Sequence, residues 1–263
     1  MADLAALLAD LREEQAALAA IVTNLDDAAL LTPTPAAGWD VRDQLSHLAG
    51  FEEAAITALR EPDEFTADLA RRVAEGDDPV AEYTARGRSM DPTEVVRWWS
   101  TARAALLTLA SDRDPTERVP WYGPSMSAMS FFAARLMETW AHGQDIRDGL
   151  VLPPEVSDRL RHIADLGVRT RPFSYAIRGR EVPPTPVDVS LVAPSGETWR
   201  WGPGDAADRI EGDAIDFCLV VTQRRHPDDV DLVVVGDAAT EWISIAQAFA
   251  GGPGRGRAPG QFG

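Results

Sequence analysis

Apolar residues recur at helical spacing through the first part of the chain. Leu4, Leu7, Leu8, Leu11, Leu18, Ile21 and Val22 fall on one face of a helix over about residues 2–25. Thr32-Pro33-Thr34-Pro35 breaks the pattern. Asp40 then caps a second helix reaching about residue 59, with Val41, Leu45, Leu48 and Phe51 turned inward. Residues 60–92 are charged and contain Pro62, Gly76, Pro79 and Gly87, which predicts a mobile excursion with short helical pieces. Asp91-Pro92 opens a third helix, with proline in its first turn, running to about residue 110. A loop through Pro115, Pro120 and Pro124 leads to a fourth helix over about residues 125–148. Four such helices predict a four-helix bundle in residues 1–150.

The pattern changes after Leu150. Residues 154–171 suit one more helix, and Pro183-Pro184-Thr185-Pro186 reads as a linker. Residues 187–192 alternate as a strand, with 197–201 as hairpin partner across Ser195-Gly196 and 209–212 as a third strand. A helix over about 213–224, the apolar run 232–235 and a last helix near 238–249 complete a small α+β domain in residues 151–250. The tail, 251–263, is rich in Gly and Pro with interspersed Arg, a composition that predicts disorder. The fold class expected is therefore α+β, a helical bundle followed by a small α+β domain.

Composition narrows the function. In 263 residues, 45% hydrophobic and 25% charged content are those of a globular protein. No apolar run has the length of a membrane span. No basic region followed by an apolar stretch opens the chain, so the cytoplasm is the expected compartment. The single Cys218 rules out an intramolecular disulfide framework. A net charge of −17 disfavours nucleic acid and anionic membranes as partners, although a local Arg patch could still hold one small anion. All 25 basic residues are Arg, a bias typical of GC-rich genomes.

One constellation carries chemistry. Glu138 and His142 are four residues apart and share a helix face, and His47 sits on the second helix. Two imidazoles and a carboxylate would hold a divalent ion with open positions, as catalytic zinc sites do. Spacing alone leaves two plainer readings open, an exposed Glu–His pair or a core His47 satisfied by hydrogen bonds. Asp145 could orient an imidazole or simply be solvated. Arg42 and Asp43 read as a surface or capping pair, and Cys218 as a buried thiol. His162 and His226 have no companions at ligand spacing. Trp98-Trp99 and Trp199/Trp201 read as packing residues.

The run Gly38-Trp39-Asp40-Val41-Arg42-Asp43-Gln44-Leu45-Ser46-His47-Leu48 resembles the second-helix signature of DinB/YfiT-like bundles. It is more closely similar to the N-terminal domain of the mycothiol-dependent maleylpyruvate isomerase family. That family has a W-x-V-x-D-x-x-x-H run, matched by Trp39, Val41, Asp43 and His47, and a later E-x-x-x-H, matched by Glu138 and His142. The resemblance extends to the order of domains, apart from the tail. It implies a divalent metal, Zn²⁺ first, on His47, Glu138 and His142. Mycothiol would be the cosubstrate for isomerisation of, or transfer to, a small electrophile. It also implies that an Arg ending the helix around Cys218, Arg224 by position or else Arg225, contacts an anionic substrate. Bundles of this superfamily often pair, which leaves a homodimer open. The rival readings are a metal-dependent hydrolase on the same bundle and a non-catalytic binder of a small molecule or lipid.

Overall fold

The computed structural model describes residues 3–262. The chain divides into two compact units, Met1–Glu155 and Val156–Gly263. Residues 151–155 stay with the first unit because its last helix pins them. Trp140 Nε1 donates to the Glu155 carbonyl (3.0 Å), and Arg147 reaches the Pro153 carbonyl (3.0 Å) and the Glu155 carboxylate (2.8 Å).

The first unit runs α1 (Leu4–Val22), α2 (Asp27–Leu30), α3 (Val41–Arg60), α4 (Pro62–Glu75), α5 (Pro79–Arg88) and α6 (Pro92–Ala110). A short antiparallel pair, β1 (Arg118–Val119) and β2 (Met126–Ser127), then leads into α7 (Ala128–Gly149). Capping sets the starts of the long helices. Asp40 and Asp43 form a reciprocal capping box at α3, Asp91 and Glu94 do the same at α6, and Ser127 caps α7. Helix α3 packs on α6 and α7, and α1 packs on both of those, closing a ring of four helices. Leu18, Val22, Val41, Leu45, Leu48, Val95 and Trp99 are buried in its core.

The excursion expected over residues 60–92 is instead the two ordered helices α4 and α5. Their charges, which suggest mobility in the sequence, pair with one another. Arg72 bonds Asp68 (2.6 Å) and Glu82 (2.5 Å), and Arg71 bonds Asp68, Glu75 and Asp77. Two glycines let α5 lie directly on α3. A Cβ at Gly50 would run into the Tyr83 ring, and one at Gly87 into the Ser46 side chain.

The second unit opens with α8 (Leu160–Arg169) and α9 (Arg171–Ala176), two helices where the sequence predicts one. It continues β3 (Val187–Val192), β4 (Thr198–Trp201), β5 (Asp208–Asp213), α10 (Ala214–Val221), β6 (Val233–Val235) and α11 (Asp237–Ile245). The sheet order is β4-β3-β5-β6, with β3 antiparallel to β4 but parallel to β5. The β3–β4 hairpin turns through Gly196 at φ +86°. Helix α10 stops three residues before its predicted end, because Gln223 takes a left-handed conformation, φ +58°. Residues 251–262 are irregular chain, yet they make hydrogen bonds to the unit's body: Gly254 N donates to Gln247 Oε1 (2.9 Å) and Gly260 N to Asp229 Oδ1 (2.6 Å). Among the described residues, no helix is long and apolar enough to cross a membrane.

Candidate metal centre

Helices α3 and α7 face each other in the bundle and bring His47, Glu138 and His142 together, with their ligand atoms all within 4.8 Å of one another. Glu138 Oε2 is the meeting point. His142 Nε2 lies 3.2 Å from it and His47 Nε2 lies 3.5 Å from it. The two imidazoles are 4.2 Å apart between ring centroids. Trp39 stacks on His142 at 6.1 Å and Phe51 packs against His47 at 4.5 Å, so aromatic rings flank both imidazoles.

A hydrogen-bond chain fixes which nitrogen of His142 faces the site. Thr34 Oγ1 donates to the Trp39 carbonyl (3.1 Å) and accepts from Gln44 Nε2 (2.9 Å). That orients the Gln44 amide, leaving Oε1 to accept from His142 Nδ1 (2.5 Å). With Nδ1 bonded to Gln44, Nε2 is the ring nitrogen turned toward the Glu138 carboxylate. A cation shared between Nε2 and the carboxylate, whether a proton or a metal ion, makes their 3.2 Å approach favourable. The loop that builds this chain turns through Gly38 at φ +78°, a conformation that favours glycine.

Electrostatics agree with a cation site. Burial, reinforced by His142, lowers the His47 pKa to about 4, so the imidazole is neutral and able to ligate at pH 7. Burial alone would raise the Glu138 carboxyl, but the two imidazoles and the Arg135 charge outweigh it and hold it well below the usual range. Two imidazoles and one carboxylate, closely gathered, are a donor set that fits a divalent ion such as Zn²⁺.

The motif residues around the centre now have physical roles. Val41 is fully buried in the core. Asp43 is no surface partner of Arg42, which pairs with Asp40 instead (3.1 Å). Asp43 is 1% exposed, accepts from the Asp40 N–H (3.2 Å) and takes both Arg88 Nε (2.9 Å) and Nη2 (2.8 Å). It thereby clamps the start of α3 to α5. Gln44 orients His142, and Asp145, the residue weighed for orienting an imidazole, is buried rather than solvated. The sequence gives no sign of Gln44's role, since a neutral amide carries no ligand spacing. Replacing it by Ala should weaken divalent metal binding about 10- to 100-fold, as loss of an outer hydrogen-bond partner does. Competition with a chromogenic chelator measures this.

Sequence reading also misses a polar layer beside the centre, one side chain from each bundle helix: Gln15, Glu52 and Arg135 are buried and Arg103 is half-buried. Gln15 Nε2 donates to Glu52 Oε1 (3.3 Å), while Glu52 Oε2, Arg103 Nε and Arg135 Nη1 have no hydrogen-bond partner among the described residues. Burial raises the Glu52 carboxyl from 4.5 to about 7, against the opposing charge of Arg135 and the Gln15 bond. An acid whose pKa rises on folding holds its proton more tightly in the native state. Its stabilising contribution is complete below the unfolded value of 4.5 and is lost as pH climbs to about 7. The loss amounts to about 1.4 kcal/mol per pH unit over that window. Glu52→Gln should therefore gain stability relative to the parent between pH 5 and pH 8, by about 2–3 kcal/mol in urea unfolding. A variant whose stability tracks the parent at both pH values would show that Glu52 does not titrate there.

Other residues singled out from sequence lie in the second unit. Cys218 is buried, its Sγ donates to the Leu160 carbonyl (3.5 Å), and burial pushes its thiol pKa up, which makes it a poor nucleophile at neutral pH. Arg224 follows α10, where its Nη1 donates to the Thr222 carbonyl (2.6 Å). His226 Nδ1 accepts from Asp228 N (3.1 Å). Trp199 is a buried packing residue there, as Trp99 is on α6 of the first unit.

Comparison with known proteins places the chain in a family. Residues 11–147 match the family model described as the mycothiol maleylpyruvate isomerase N-terminal domain. Two uncharacterized proteins, from two strains of Mycobacterium tuberculosis, are each 42% identical over 261 residues, covering 98% of this chain and 100% of the relative. The crystal structure of the mycothiol-dependent maleylpyruvate isomerase shares the fold at a TM-score of 0.56, with 16% identity over 85% of this chain and 90% of that one. A histidine-to-alanine mutant of that enzyme matches at the same TM-score, with 15% identity. The chain belongs to the mycothiol-dependent maleylpyruvate isomerase family.

Proposed function

We propose that the protein is a cytoplasmic, metal-dependent enzyme that uses a low-molecular-weight thiol, mycothiol, on a small electrophile. The observation that carries this reading is the convergence of His47 Nε2 and His142 Nε2 on one Glu138 oxygen, at 3.5 and 3.2 Å. His47, Glu138 and His142 would hold the ion, leaving positions open for a ligand. The chemistry such an ion supplies when bound is to lower the pKa of a thiol, so that the nucleophile exists at neutral pH.

The remaining work falls to the chain's own residues. Gln44 holds His142 in one tautomer, so that Nε2 is always the nitrogen presented to the site. The rings of Trp39 and Phe51 shield the two imidazoles from water and strengthen charge interactions there. Arg224 is proposed to hold a substrate carboxylate through its planar fork. For an isomerase the thiol adds to an activated double bond, the new single bond rotates, and elimination returns the thiol. For a transferase the adduct is the product.

Metal analysis of the purified protein, followed by mass spectrometry with mycothiol and a panel of electrophiles, tests the reading. Mycothiol adducts, or isomerised substrate that forms only with thiol present, support it. Hydrolysis without thiol would assign the metal-dependent hydrolase instead.

A further inference from the structure

Arg135 is a permanent charge buried beside the metal centre, only 4% exposed. A guanidinium keeps its proton at any ordinary pH. Arg135 lies on α7 three residues before Glu138, so the two side chains share a helix face, one turn apart. It makes no ion pair with that carboxylate, whose partners among the described residues are His47 and His142. Its Cζ sits 5.3 Å from the centroid of the Trp121 ring. Trp121 in turn lies 6.2 Å from Phe51, and Phe51 lies 4.5 Å from His47, ring to ring. Arg135 is thereby wedged between α7 and the aromatic rings that back His47. Its charge reaches both ligands. After burial and His142, it helps to lower the His47 pKa, and against burial it joins the two imidazoles in holding Glu138 down.

This placement weakens the fold. Arg135 Nη1 has no hydrogen-bond partner among the described residues. The carboxylate that attracts it is Glu52, yet the two do not close a pair: Glu52 Oε1 takes the Gln15 amide (3.3 Å) and Oε2 is also unpartnered. The groups that act on Glu52 are Gln15 on α1, Arg103 on α6, and Arg135 and Glu138 on α7. Burial raises its carboxyl to about 7 against the Arg135 charge, so in mildly acidic solution it is neutral and offers Arg135 no counter-charge. A buried charge without a well-made pair is unfavourable, and an apolar side chain of similar size would fill the space without that penalty. What only a charge can do is act on the centre. Beside a divalent ion, a fixed positive charge repels the ion, and it favours any anion that the ion receives.

We propose that Arg135 is a positioning residue of the centre, its charge lowering the hold on the metal ion and raising the acidity of the thiol that reaches it. The first half rests only on His47, Glu138 and His142 holding a divalent ion. The second rests on the thiol chemistry proposed for this site.

Chelator competition for Zn²⁺, run on the full chain at about pH 6 where Glu52 is neutral, tests the first half. Arg135→Met removes the charge and keeps an unbranched side chain, and it should bind Zn²⁺ at least about 10-fold tighter than the parent. Even over roughly 10 Å, at an effective dielectric of about 20, one charge acting on a divalent ion exceeds the energy of a tenfold change. Arg135→Lys keeps the charge and should bind as the parent does. A role confined to packing predicts the opposite sign, since a damaged α7 would hold the ion less well. If the Met variant does not fold, Arg135→Gln, also neutral, carries the same comparison. The second half is read from Co²⁺-loaded protein with mycothiol. The pH midpoint of the sulfur-to-cobalt band should rise by about one unit in the neutral variant and stay at the parent's value in Arg135→Lys. Zn²⁺ affinity unchanged or weakened in the neutral variants, or equally tightened in Arg135→Lys, would overturn the inference. An unmoved midpoint in the neutral variant would overturn its second half. Absence of the band from the parent would overturn the thiol chemistry itself, while the Zn²⁺ comparison would still decide what the Arg135 charge does to the ion.

Discussion

His47→Ala should purify without stoichiometric divalent metal and without thiol-dependent activity, while keeping the parent's helical circular dichroism. Loss of a ligand should exceed the roughly 10- to 100-fold cost of losing an outer partner. A weakening beyond about 100-fold is therefore expected by chelator competition. The substitution is a clean probe because of how His47 is held. Its Nδ1 has no hydrogen-bond partner among the described residues, and its Nε2 touches only Glu138, at 3.5 Å. Glu138 keeps His142 at 3.2 Å when His47 is removed. No other polar group is orphaned, so a fall in metal content cannot be blamed on collapse of a network. A variant that retains metal at the parent's level would remove His47 from the site.

Asp43→Ala should cause the largest loss of stability among the motif residues, about 3 kcal/mol. The figure combines a cap contribution of about 1 kcal/mol with charge-assisted hydrogen bonds worth about 1.5–3 kcal/mol. Arg88 is half exposed and can return to water, which keeps the cost below that of a fully buried pair. Thermal unfolding of the first unit should fall by roughly 6–12 °C. The change also frees the start of α3 and its loop, where Arg88 Nη2 also holds the Gly38 carbonyl (2.8 Å). Trp39 and Gln44 lie on or next to that loop, so metal affinity should fall along with stability. A variant that unfolds at the parent's temperature would show that the clamp does not matter.

These two substitutions mark what the sequence makes legible. Glu138 and His142 show themselves through their helical spacing, and His47 through the flanking Trp39, Val41 and Asp43. The structure gathers the three within 4.8 Å. Helix positions in the bundle and the β3–β4 hairpin follow from periodicity, because one buried face per element leaves a repeating apolar mark. What escapes is long-range pairing. Arg88 meets Asp43 across 45 residues, and the reach of His142 to Gln44 spans 98. Neither bond leaves a local trace. The same blindness misreads α4 and α5, whose charges look like solvated chain until Arg72 is seen holding Asp68 and Glu82. Glu52 and Arg135 are hidden differently: each interrupts an apolar face, and only burial reveals the layer they form.

The central claim is that His47, Glu138 and His142 hold a divalent ion that receives a thiol. The most direct measurement replaces the native metal with Co²⁺ and records the absorption spectrum during a mycothiol titration. The account predicts tetrahedral-type cobalt bands in the parent. A sulfur-to-cobalt charge-transfer band should then grow to saturation at one mycothiol per chain, and neither feature should appear in His142→Ala. A cobalt spectrum that does not respond to mycothiol, or the same response in His142→Ala, would contradict it.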